Sequence, residues 1–420
     1  MIRLMSVASG VVVLLVSSPA FASLTMHEWG TFTAVQGSNG IPLEALEHED
    51  DPLPDFVHGR GEVATPEPAP SPHTQPRSPH PPRGCRTFKC ADFDTAPGTP
   101  FAVTQKMETP VLYFYSDREQ DVEVDVRYPR GIISQYYPAP SLFEPPLNGA
   151  SALEGGRTVF DVRVLGRSFN SMVPSVPPSS IYAPARQVDS NPIRSSAGEY
   201  EKFIFYRGLG RFETELRVTS GPEDRMTVSN EGRNPIQSVL LMRIANDGRG
   251  AIFNLGGLAG RSSQDISKVR NLVDAKLKSR QEFLSDAKTI LVSELTRSGL
   301  YLDESVAMAN TWEKSYFGQE GLRVLYILNR GETEALLPMR VSPQPDSLVR
   351  TLVGRVEVLT AQEEDALLHQ IEAAPESDLS LLGRLGRFAE AKLLRLKQIS
   401  PNGTVIQRIE KLLAVVRSQG

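Results

Sequence analysis

Two carboxylates in this 420-residue chain could do acid–base chemistry. Glu28 follows His27 near the N-terminus, and Glu108 stands in Lys106-Met-Glu-Thr-Pro110, at the entrance to an apolar strand. Brought to within roughly 5–10 Å in one cleft, such a pair would serve as general acid and base, or acid and nucleophile, as in glycoside cleavage. Trp29, beside Glu28, and Tyr206-Arg207, after an aromatic run, would add a ring platform and a guanidinium for a carboxylate or phosphate. Each group also has a plainer reading. Glu108 can pair with an arginine and stabilise a turn. Trp29 and Tyr113, Tyr115, Tyr128, Tyr136 and Tyr137 can fill a core, and Arg207 can belong to a Gly-containing turn.

Metal chemistry has less support. His27 and Glu28 are adjacent, and on a strand adjacent side chains point to opposite faces, so both reach one ion only across a bulge. His27 then shares a face with Trp29, and a core or edge-strand role suits it better. The other histidines (His48, His58, His73, His80, His369) do not group at metal-ligand spacing. His48 lies among Glu47, Glu49, Asp50 and Asp51, which read as an acidic solvated loop. No HExxH, GxSxG, Walker A or paired CxxC is present, and no cofactor is implied.

The elements that must position these groups divide the chain in two. At roughly 150 residues per domain the length suggests two domains. The 40% hydrophobic content rules out wholesale disorder, and 32 Pro with 32 Gly favour turns and short strands. A balance of 45 basic against 50 acidic residues (net −5) is too even for a nucleic-acid-binding protein. From Lys106 to Leu258 the pattern is β: Val111–Tyr115 is apolar, and Val122, Val124, Val126 and Tyr128 alternate with charged residues. Asn246-Asp247-Gly248 signals a hairpin. Ser262 with Asp265 suggests a capping box for a helical run to Leu295, and Thr360 with Glu363 a second one. Two strands, 322–328 and 348–359, interrupt the helices. The expected fold is a mainly β, β-sandwich-like N-terminal half (24–258) followed by an α-rich mixed α+β half (259–420).

Residues 1–22 read as a signal peptide: a cationic start at Arg3, an apolar run Val11–Val16, and Ala20-Phe21-Ala22 before Ser23. The expected location is secreted or periplasmic, with no transmembrane segment in the mature chain. Cys85 and Cys90, separated by Arg-Thr-Phe-Lys, would then form a local disulfide. Residues 59–84 read as an exposed Pro-rich insertion. Beyond residue 375 eight basic side chains face four acidic ones, either a solvated helical face or a docking surface for an anionic partner.

The segments His27–Thr33, Lys106–Tyr115, Glu201–Gly208 and Leu352–Thr360 resemble an uncharacterised family of exported bacterial proteins with HEWGTFT and KMETPV segments and no established activity. The resemblance spans about 25–375. It implies export and one shared architecture, and carries over no catalytic residue. The expected function is therefore a non-catalytic binding or structural module acting on a glycan or cell-envelope component. A glycan-directed hydrolase using Glu28 and Glu108 is the alternative.

Overall fold

A computed structural model describes residues 23–47, 53–59, 102–145, 152–313, 315–375 and 378–419. The expected signal peptide, residues 60–84 of the Pro-rich insertion, Cys85 and Cys90 lie outside the described residues. The alternation of Val122, Val124 and Val126 becomes strand Gln120–Tyr128, with the valines buried and Glu123 exposed. The Asn246-Asp247-Gly248 turn joins Ile236–Ile244 to Gly250–Leu258, with Gly248 at φ 81°. Only glycine enters that region without strain.

Nine strands form the largest sheet. Its order is Gly250–Leu258, Ile236–Ile244, Gly321–Ile327, Ser347–Val358, Leu24–Gln36, Gln105–Ser116, Phe203–Gly210, Gly131–Tyr137 and His58–Gly59. The central pair, Leu24–Gln36 with Ser347–Val358, is parallel; the other neighbours are antiparallel. The second sheet, which includes Gln120–Tyr128 and Gly156–Val164, packs on one face of the first. Met26, Phe32, Leu112 and Tyr206 meet Val124, Phe160 and Val162 there, which gives the sandwich-like character.

On the opposite face, helices Arg280–Arg297 and Leu302–Thr311 press Phe283, Leu291 and Met308 toward Trp29, Tyr113, Phe203 and Val353. Each such side chain contributes about 1.5–3 kcal/mol on burial. The C-terminal helices have a smaller core of their own, built on Leu385, Leu393, Ile409 and Leu412. Among the described residues strands dominate the N-terminal half, and the α-helices fall between Ser267 and Gln419.

Three expectations change. The boundary at 258 runs through a single sheet, because Gly321–Ile327 and Ser347–Val358 insert between Ile236–Ile244 and Leu24–Gln36. Ser262–Asp265 is a strand paired with Met226–Asn230, not a cap; the following helix starts at Ser267. The run to Leu295 breaks at Lys276–Ser279, where Ser279 and Glu282 form a true capping box. Thr360 and Glu363 do the same for Ala361–Ala373, as expected.

Candidate functional site

Glu28 lies midway along Leu24–Gln36, on the face that carries Met26 and Phe32 toward the second sheet. It is fully buried. The Tyr206 hydroxyl donates to its Oε1, and Arg350 Nε donates to Oε2 at 2.7 Å. Arg350 Nη1 donates to the Leu337 carbonyl at 2.7 Å. Burial is the strongest single influence and works against the guanidinium charge, but Glu28, Tyr206 and Glu334 together outweigh it and raise the pKa of Arg350. Burial first, then the Glu28 charge, hold Tyr206 well above the ordinary phenol range, so it stays a donor. Both carboxylate oxygens of Glu28 are therefore engaged.

Glu108 is also buried, but in a different setting. Arg387 Nη1 donates to Oε1 at 2.6 Å, and Tyr316 and Thr33 hydroxyls donate to Oε2 at 2.7 and 2.6 Å. Burial alone would raise its pKa. Arg387, Lys106 and Arg355 prevail, and hold the carboxyl well below the usual range. Tyr316 belongs to the core on the helix-covered face, whereas Tyr206 belongs to the core between the sheets. Glu28 and Glu108 thus occupy opposite faces of one sheet and share no hydrogen-bond partner among the described residues. The expected common cleft does not form, because the register Thr31↔Glu108 sets Glu108 on the side of the odd-numbered residues of the first strand.

The other expected site residues are split in the same way. Tyr206 joins Glu28, as the sequence suggested. Trp29 points to the other face and is wholly enclosed, 6.4 Å from the ring of Tyr113. Enclosed at 0% exposure, neither Trp29 nor Tyr206 offers a ring surface to a ligand. Arg207 follows the face of Phe205, whose ring lies 5.7 Å from its guanidinium, and is buried away from Tyr206. His27 shares the Trp29 face, as alternation requires. Its Nδ1 lies 2.8 Å from Oε2 of the buried Glu304, which also accepts from the Tyr115 hydroxyl at 2.6 Å and the Tyr301 backbone N–H at 2.7 Å.

Arg350, Arg387, Tyr316 and Glu304, which complete these clusters, were not singled out from sequence. One signal is present for Arg350 and Arg355: both stand within Ser347–Val358, a largely apolar strand whose charges must find buried partners.

Among the described residues, no group of three or more His, Cys, Asp or Glu could hold a metal ion. Among them also, no helix is long and apolar enough to cross a membrane. Fold and site together define a mixed α+β protein with carboxylate–arginine pairs on both faces of a nine-stranded sheet. No protein-family model matches the chain, and no curated protein matches it.

Proposed function

We propose that the chain is an exported protein of the cell envelope or extracellular space, acting as a non-catalytic binding or structural module. One observation carries this reading: Glu28 and Glu108 lie on opposite faces of the sheet, each bonded to a buried arginine. Two-carboxylate hydrolysis needs an acid and a base about 5–10 Å apart around one bond. Export rests on the cationic start, apolar run and Ala20-Phe21-Ala22 motif. The ligand class in view is a glycan or cell-envelope component.

The test is an array of glycans and envelope polymers presented to the exported chain, with reducing ends assayed in parallel. Saturable binding without product is expected. Product release that disappears in both Glu28→Gln and Glu108→Gln would overturn the reading. N-terminal sequencing of the exported protein should begin at Ser23, and a Met1 start would remove the export argument. Cys85 and Cys90 should titrate as no free thiol in the denatured, unreduced protein; two free thiols would exclude their disulfide.

A further inference from the structure

Helices Arg280–Arg297 and Leu302–Thr311 form a hairpin whose inner stripes, Phe283, Leu291 and Met308 among them, cover the nine-stranded sheet. The outer stripe of such a surface helix is ordinarily polar. Here it is not. Leu302 and Val306, one turn apart on the second helix, are 64% and 39% exposed, and Tyr301 just before them is 46% exposed. Single exposed hydrophobics need no explanation, but three large ones within six residues of chain make a patch.

The patch borders a groove of about 730 Å³ between the two helices, a size common among small-molecule sites. Val292 on the first helix and Leu302, Val306 and Ala309 on the second give it apolar walls. Thr296 Oγ1 donates to Ser305 Oγ at 3.1 Å and holds the helices together near the turn. Backbone groups along both helices are spent within them, so the groove offers a ligand apolar contact along its length.

Charge is confined to its two ends and has one sign. Lys288 and Arg297 line the groove, and among the described residues no Asp or Glu does. The two cations stand nine positions apart on one helix, about 13 Å at 1.5 Å per residue. Lys288 is paired with Glu313, outside the groove. Arg297 gives only Nη1 to Glu294; its Nε and Nη2 make no hydrogen bond among the described residues. That remaining edge of the guanidinium suits a carboxylate, which takes two parallel N–H donors. A bilayer is met by an amphipathic helix through a projecting apolar face, whereas these side chains wall a concave slot.

We propose that the groove binds a single-chain anionic amphiphile, a long-chain carboxylate. Its alkyl chain lies along Val292, Val306 and Ala309, and its head meets Arg297 at the end nearest the turn. The site depends neither on export nor on a glycan ligand, so either reading can fail alone.

The test is calorimetric titration of the full chain with sodium octanoate, decanoate and dodecanoate, each below its micellar concentration. Saturable binding at one site is expected, strengthening with length by up to about fourfold per methylene. Decanol and decyltrimethylammonium should bind more weakly than decanoate. Arg297→Gln should weaken decanoate about tenfold, as expected for a lost charge-assisted hydrogen bond, and leave decanol unchanged. Val306→Asp, at an exposed position, should weaken every member of the series with an unchanged circular dichroism spectrum, while Leu272→Asp, exposed on helix Ser267–Ala275, should not. Binding of none of the three carboxylates overturns the site, and so does co-sedimentation with anionic phospholipid vesicles in place of such binding, which would make the patch a membrane contact. Binding that Val306→Asp leaves intact overturns the location. Equal affinity for decanoate and decanol overturns the role of Arg297.

Discussion

Glu28 and Arg350 face each other directly across the parallel strand pair, with Arg350 Nε 2.7 Å from Glu28 Oε2 and 322 positions between them in sequence. Neither is reachable by solvent to any extent that would soften a loss, with side-chain exposures of 0% and 4%. Truncating one partner leaves a buried charge behind. Arg350→Met should cost about 3–5 kcal/mol in urea unfolding. Adding Glu28→Gln to it should recover part of that loss. Two changes that add to within about 0.5 kcal/mol would show no coupling across the pair.

Glu108 sets part of the acid limit of stability. Its folded pKa is depressed, so its contribution is complete above the unfolded value of 4.5 and is lost as pH falls through the folded value. Glu108→Gln should therefore be less stable than wild type at neutral pH, and the gap should close below about pH 4.5. A gap that is constant from pH 7 down to pH 3 would contradict this assignment.

Glu332 works with the opposite sign. Burial, then the Glu215 charge, push its pKa up to about 7, even though it accepts the Glu215 backbone N–H at 2.9 Å. A raised acid makes the folded state bind the proton more tightly, so stability falls as pH rises from 4.5 to about 7. The loss is about 3 kcal/mol at about 1.4 kcal/mol per pKa unit. Glu332→Gln should remove most of that fall, leaving the variant more stable than wild type at pH 8. Equal slopes for the two proteins between pH 5 and pH 8 would place the titration elsewhere.

Gly354 lets two strands close over an aromatic ring. A Cβ there would sit 2.0 Å from Tyr326 Cε1, and its cross-strand partner in the register is Tyr326 itself. Gly354→Ala should cost about 1–3 kcal/mol as the ring is displaced. The same change made in a Tyr326→Leu background should cost clearly less. Equal costs in both backgrounds would exonerate the ring.

What could be read from the sequence was local. The Asn246-Asp247-Gly248 turn, the Thr360–Glu363 capping box and the Val122–Val126 alternation depend on a few neighbouring residues, and each formed as expected. Pairing between distant strands leaves no such mark. Nothing near Leu24–Gln36 announces that its parallel partner is Ser347–Val358, so the split at residue 258 looked natural and the shared sheet did not. The same blindness placed Glu28 and Glu108 in one cleft. Their residue types were informative, but the face each occupies depends on the register with Gln105–Ser116. Tyr206 was brought to Glu28 as anticipated, while Arg350 and Arg387, which neutralise the two acids, come from a strand and a short 3-10 helix that no local pattern ties to them.

The parallel pairing of Leu24–Gln36 with Ser347–Val358 also has a consequence for biosynthesis. The first strand made is flanked on one side by residues 105–116 and on the other by residues more than three hundred positions later. Until the ribosome has delivered those later residues, that strand presents a row of unpaired backbone donors and acceptors in a strongly apolar setting. The central sheet is therefore completed only late in synthesis. Fragments ending near residue 258 lack Ser347–Val358 and so carry an open seam that invites self-association.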